Sequence, residues 1–246
     1  METIKNILKL TGLGYLIIFV TGFFSNFFVL ENLIVSGNSA ATFNNIIENE
    51  LLFRWAIVSF ILMVIFDLLL SWTLYLLLKE VNQKLSLLAA WLRLVNATMF
   101  GLALYNLVSV LQLTVNPEYS KVLELSQLQT QVTLYLEAFN STWLIGLIFF
   151  GIHLLLLGYL IVKSNYIPKF IGILLFVAGV GYLVDSFANF LLRNYSSYKD
   201  IFELIVILPG VIGEFSFTIW LLIKGFFGKK KQLIIKSTKH SFKEEF

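Results

Sequence analysis

The stretch from Trp55 to Leu78, WAIVSFILMVIFDLLLSWTLYLLL, runs for 24 residues with one charge, Asp67. At about 1.5 Å per helical residue it is long enough to cross a hydrocarbon core roughly 30 Å thick. A barrel strand would instead be about ten residues long with polar and apolar residues alternating, and no such alternation appears. Working outward, five further stretches read the same way: Leu10 to Leu30, Leu85 to Leu113, Trp143 to Val162, Phe170 to Leu192 and Ile201 to Ile223. Of the 246 residues, 58% are hydrophobic and only 13% charged, and the mean hydropathy is +0.84. Soluble domains run near a quarter charged, so the solvent of this chain is lipid. The expected fold is an all-α, polytopic membrane helix bundle with six transmembrane helices plus short amphipathic helices in the external loops. Residues 1–225 form the transmembrane domain and 226–246 a basic cytoplasmic tail. Lys5 and Lys9 precede the first span as in a signal peptide, but its apolar core is long and no small-x-small cleavage site follows.

Basic residues set the orientation. Lys5, Lys9, Lys79, Lys84, Lys163, Lys169 and seven lysines from Lys224 onward fall on one side, and Arg54, Lys121, Arg193 and Lys199 on the other. The positive-inside rule makes the first side cytoplasmic, with both termini on it, as an even number of spans requires. The expected location is the bacterial cytoplasmic membrane. The turns at Lys79 to Lys84 and Lys163 to Lys169 are short, so spans two and three, and spans four and five, are antiparallel neighbours. Pro168 suits the first turn of span five.

Two external loops have helical patterning. After Ser36-Gly37-Asn38, residues Phe43, Ile46, Ile47 and Leu51 share a face, and Glu50 can pair with Arg54. Asn116-Pro117-Glu118 reads as a helix start, and Leu125, Leu128, Val132, Leu136 and Phe139 form a stripe that can run into span four. In the tail, Lys229, Lys230 and Lys231 are placed to attract anionic lipid. No basic domain supports nucleic-acid binding.

Ionisable groups within spans are costly and need partners. Measured from the cytoplasmic ends, Asp67 lies at roughly 16 Å, Arg93 at roughly 12 Å, and His153 and Glu214 each at roughly 14 Å. These four form the candidate buried polar layer, with Thr21, Asn96 and Tyr182 at similar heights. The short turn between spans two and three brings Asp67 and Arg93 within one helical turn in height, which suggests an ion pair fixing helix register or an arginine held to receive an anionic group. One exchangeable proton shared by His153 and Glu214 is a further expectation, conditional on their helix faces converging. Asp185, Asn189 and Asn26 lie further out and suggest an outer cavity. Glu203 suits the first turn of span six, and Pro209-Gly210 predicts a bend one turn before Glu214. Gly151 with Gly158, Gly172 with Gly179, and Ala97 with Gly101 predict close helix approach. The aromatic residues read as lipid contact and packing.

Zero cysteines and two histidines leave no metal or cofactor expected. The order Phe150-Gly151-Ile152-His153, Gly158-Tyr159-Leu160-Ile161, Ser164, Ile167-Pro168, Gly172 and Gly179-Val180-Gly181-Tyr182 resembles a bacterial multi-pass family known as domain of unknown function 4386. Asn45-Ile46, Phe53-Arg54, Asp67, Leu74-Tyr75, Val81-Asn82, Arg93, Glu214 and Trp220-Leu221-Leu222 extend the similarity over about Gly12 to Gly225. The resemblance implies an integral membrane protein and brings no reaction or ligand. Three readings follow. A structural or regulatory membrane protein uses the polar layer as internal glue. A proton-linked carrier or binding protein for a small or anionic solute uses it for coupling. An intramembrane lipid-modifying enzyme uses His153 and Glu214 for acid–base work, although no nucleophile or metal motif supports it.

Overall fold

The computed structural model describes residues 2–228. Among them there are helices and connections only, and six helical segments are long and apolar enough to cross a membrane. The protein is a multi-pass membrane protein. The first segment, Ile4–Leu33, combines α1 (Glu2–Phe23), a π-helical stretch Phe24–Leu30 and the short α2 (Glu31–Leu33). The others are α4 (Glu50–Leu78), α5 (Gln83–Val115), α7 (Leu125–Lys163), α8 (Lys169–Leu191) and α9 (Lys199–Phe227). Two short helices, α3 (Ser39–Glu48) and α6 (Pro117–Val122), occupy the loops expected to hold them. The outward surface is apolar: Phe170, Ile173, Phe176, Val180, Val184 and Phe187 are exposed along α8 alone.

Contacts divide the chain into two compact units. The first holds the residues up to Leu16, Leu68–Val95 and those from Leu147 onward. The second holds Ile17–Asp67 and Asn96–Gly146.

In the first unit, glycine sets helix spacing. A Cβ on Gly158 would stand 2.5 Å from the Gly172 carbonyl oxygen, and one on Gly172 would stand 2.7 Å from the Gly158 oxygen. One α7 heptad away, Gly151 and Gly179 repeat the arrangement, a Cβ on Gly179 standing 2.7 Å from the Gly151 oxygen. The matched pairs run in opposite directions along α7 and α8, so the helices are antiparallel with their backbones in contact, as the seven-residue spacing predicts. The same device joins α8 to α9, where Gly181 meets the Ile205 carbonyl, and α1 to α9, where Gly225 meets Lys9. The turn before α8 is pinned by Tyr166, whose hydroxyl donates to the Leu77 carbonyl on α4. Pro168 is the capping residue before α8 and Lys169 its first helical residue.

In the second unit, α3 starts with Asn38 capping the Ala41 N–H at 2.9 Å, after a turn in which Gly37 takes φ +74. It buries Phe43 and Ile46, while Ile47 and Leu51 of the expected face are exposed. The stripe Leu128, Val132, Leu136 and Phe139 is buried on α7, and Leu125 is not. Glu50 and Arg54 pair at 2.6 Å. Trp143, half-buried, stacks on Phe100 with centroids 3.7 Å apart and also meets Phe60. Ala97 is buried, but Gly101 faces open space, so that pair is not a helix contact. The π-helical stretch lets Ser25 turn inward, where its hydroxyl donates to the Ala56 carbonyl of α4 at 3.0 Å.

α7 is 39 residues long. At 1.5 Å per residue that is about 58 Å, nearly twice a bilayer core. Its exposed residues between 126 and 141 are mostly polar (Ser126, Gln127, Thr130, Glu137, Asn140, Ser141), whereas Ile145 and Tyr159 are the exposed residues of the later part beyond Trp143 and before Lys163. The exposed surface of the first half of α7 is therefore mostly polar and that of the second half apolar.

Replacing Gly158 by Ala drives a Cβ into backbone and is expected to cost about 1–3 kcal/mol. Gly101→Ala, with nothing in its way, is expected to be neutral, and thermal unfolding of the two variants in detergent compares them directly. Burial, and secondarily the charge of Glu80, push the Tyr166 hydroxyl well above its ordinary value of 10.0. The stabilisation it contributes is whole below that value and is lost as pH rises further through the folded range. Unfolding followed from neutral to strongly alkaline pH should show this decline, and Tyr166→Phe should flatten it.

Candidate functional site

In the first unit, Arg93 of α5 is only 1% exposed, in the middle of an apolar helix. Its Nη1 donates to the Tyr15 hydroxyl of α1 at 3.3 Å and lies 3.2 Å from Nε2 of His153 on α7. The guanidinium carbon is 5.1 Å from the Tyr15 ring centroid and 5.5 Å from that of Phe150, so aromatic faces meet the cation. The other His153 nitrogen, Nδ1, lies 2.8 Å from the Ala89 carbonyl oxygen. These partners determine the imidazole. A carbonyl only accepts, so Nδ1 bears the hydrogen; a guanidinium only donates, so Nε2 presents its lone pair. His153 is neutral, with Nδ1 protonated.

This arrangement alters one expectation. Both ring nitrogens of His153 are engaged by α5, one with Ala89 and the other with Arg93, and neither is available to share a proton with Glu214. Depth along the span predicted the height of His153, but height does not specify which neighbour a side chain faces.

Asp67 belongs to the second unit, whereas Arg93, His153 and Glu214 belong to the first. Asp67 is 3% exposed, and its Oδ2 accepts a hydrogen bond from Asn96 Nδ2 at 2.8 Å, joining α4 to α5. Asn96 is fully buried, and its own Oδ1 has no hydrogen-bond partner.

Glu214 is half-buried on α9. Gly210 precedes it by one turn, and the Tyr182 hydroxyl of α8 lies 3.5 Å from where a Gly210 Cβ would stand. α9 continues as helix through Pro209. Asp185 is 9% exposed and accepts from the Tyr195 hydroxyl at 2.6 Å. Tyr195 stacks on Phe202. Asn189 is half-buried on α8, and Asn26 is exposed on the π-helical stretch of the second unit. The group expected to line an outer cavity thus contributes one residue, Asp185, to a defined hydrogen bond, and its partner is a tyrosine from the following turn. The Glu203 side chain and Lys229, Lys230 and Lys231 lie outside the described residues.

Tyr15 and Tyr195 escaped the sequence reading. A tyrosine in or beside an apolar helix brings no charge to flag it, and the available signal was indirect: a buried ion needs a donor or acceptor within reach, and tyrosine supplies one on an otherwise apolar ring.

A family model described as a domain of unknown function (DUF4386) matches residues 10–225. A protein of Archaeoglobus fulgidus, described as "Uncharacterized protein", is 34% identical over 171 residues, which cover 70% of this chain and 84% of that one. No solved structure matches. The relative is archaeal, so the likeness does not confine the chain to bacteria. With a match that takes in the polar residues of α4, α5, α7, α8 and α9, the chain belongs to the domain of unknown function 4386 family.

Proposed function

We propose that this protein is a structural or regulatory component of a cell membrane, and that its buried charges lock helices in register. The observation behind this reading is the Arg93 centre. The guanidinium is closed in by aromatic rings and bonded to α1 and α7. The neutral imidazole is spent on holding it. Asp67 with Asn96 does the equivalent for α4 and α5. Such buried polar contacts are poor sources of net stability and good sources of specificity, because a shifted helix would strand a charge in hydrocarbon. A proton-linked carrier for an anionic solute is the competing use of the same arginine, and the first test below distinguishes the two.

The same proposal places the protein in a bacterial cytoplasmic membrane, with residues 1–225 as its membrane domain and both termini in the cytoplasm. The basis is the lysine asymmetry and the even number of spans. In the tail at 226–246, Lys229, Lys230 and Lys231 would sit against anionic headgroups, each adding about 1 kcal/mol of attraction near the surface.

Arg93→Ala should lower stability in lipid nanodiscs by about 3–5 kcal/mol, since it leaves the polar partners of the guanidinium buried. His153→Phe should also destabilise, because it removes an acceptor from Arg93 and a donor from Ala89. His153→Gln, which can supply both, should recover part of the loss. An Arg93→Ala protein with wild-type unfolding that loses gradient-driven solute uptake in vesicles would overturn the register role in favour of the carrier. For orientation, a reporter fused after Phe246 should be active only in its cytoplasmic form; an exported signal reverses the topology.

A further inference from the structure

The end of the bundle where α7 passes into α8 carries cations that the register role does not use. α7 closes with Lys163, and α8 opens with Lys169 after a turn of five residues. From Ala138 to Val184 the chain has no acidic residue, so nothing within this hairpin neutralises them. The glycine contacts fix where the two lysines stand. With Gly158 against Gly172 and Gly151 against Gly179, Ile161 lies opposite Lys169, and the lysines differ by about 3 Å in height. Both are exposed, while Leu160, Ile161 and Ile171, which point the other way, are buried. Tyr159 shares the face of Lys163 at i, i+4, and its ring centroid is 5.7 Å from the Lys163 ammonium. Ile173, Phe176 and Val180 continue the face of Lys169, and all three are exposed. The two faces adjoin across the seam: a Cβ on Gly158, next to Tyr159, would stand 3.0 Å from the Phe176 Cβ. Among the described residues, neither ammonium group has a carboxylate partner, and the Tyr159 hydroxyl has no hydrogen-bond partner.

We propose that this corner binds an anionic phospholipid. Its phosphate sits between the ammonium groups of Lys163 and Lys169 and accepts a hydrogen bond from the Tyr159 hydroxyl. One acyl chain follows Ile173, Phe176 and Val180 down α8. All three polar groups are donors, and what they lack is an acceptor. They stand at the ends of two apolar spans, where lysine stems lie along the helix and their heads reach the layer of lipid phosphates. A sidedness signal needs only positive charge in the connecting turn. It does not need two lysines and a phenol on one surface with an apolar lane beneath them. The same lane distinguishes a lipid from free phosphate, which would leave it uncovered and bind through solvated groups alone. The site is separate from the tail lysines and from the Arg93 centre, and it holds whichever side of the membrane the turn occupies.

The test is native mass spectrometry of the full chain in detergent, titrated with phosphatidylglycerol and separately with phosphatidylcholine of the same acyl chains. The wild type is expected to bind the first phosphatidylglycerol more tightly than the first phosphatidylcholine. Lys163→Gln and Lys169→Gln should each weaken that step about fivefold, and the double variant about 25-fold, as expected for two basic residues at a membrane surface. Tyr159→Phe keeps every charge and the ring beside Lys163, and should weaken it about tenfold, the low end for a hydrogen bond to a charged group. Lys229→Gln, Lys230→Gln and Lys231→Gln together should leave the step unchanged; its loss in that variant would assign the lipid to the tail instead. Equal affinity of the wild type for the two lipids, or unchanged affinity in the double variant or in Tyr159→Phe, would each overturn the site. So would displacement of the lipid by an equal concentration of inorganic phosphate, which would mark a site for a free anion.

Discussion

Hydrocarbon offers no hydrogen-bond partners, and this constraint governs the protein. A backbone amide left unsatisfied in lipid costs several kcal/mol, so every crossing is a helix that satisfies its own backbone. Once the helices exist, no hydrophobic difference between side chains and lipid tails drives them together; they associate through dispersion and polar contacts. That is why glycine appears where helices cross. At Gly158 and Gly172, and again at Gly151 and Gly179, the gain comes from backbone surfaces meeting without side chains between them. Cα–H groups directed at carbonyl oxygens add a smaller attraction. Where the backbone breaks its own rule, at Pro209, the unmatched Ile205 carbonyl is met by another glycine, Gly181.

The same constraint explains the chemistry of the Arg93 centre. Arginine cannot shed its proton, so a buried guanidinium must be surrounded by electron density. Tyr15 and Phe150 offer ring faces, the Tyr15 oxygen offers a lone pair, and His153 offers another. Histidine serves only while neutral: a second proton on Nε2 would set N–H against N–H at 3.2 Å. The Ala89 carbonyl enforces the correct tautomer by taking the hydrogen of Nδ1. A backbone atom of α5 thus prepares a side chain of α7 to receive another side chain of α5 one turn on. The motif links two helices through three residues.

Much of this was legible in the sequence. The six spans follow from run length, and the glycine contacts from their seven-residue spacing, because both depend on position along one axis. Burial of Asp67, Arg93 and His153 followed from the penalty for charge in lipid. What could not be read was rotation about the helix axis. Height placed His153 and Glu214 in one layer, yet His153 turns both of its ring nitrogens to α5. The π-helical stretch at Phe24–Leu30 was equally hidden: it adds a residue to one turn without changing composition, and only the inward turn of Ser25 reveals its effect. The length of α7 was legible as one of two readings, since the stripe from Leu125 to Phe139 can run into span four, and the structure decides for a single helix.

The contrast between the two polar centres of the first unit is physical. Arg93 is closed in by rings and joined to a base that has no spare nitrogen, on helices that cross without interruption. Such a site resists change, since any rearrangement leaves a permanent cation exposed to oil. Asp185 is different: a carboxylate can become neutral, and this one accepts its hydrogen bond from the Tyr195 hydroxyl. It lies on α8, which packs on α9, the helix whose hydrogen-bond ladder Pro209 interrupts and where local displacement costs fewer backbone bonds. A fixed charge holds the Arg93 helices in register, whereas a group able to lose its charge sits beside the helix that proline interrupts.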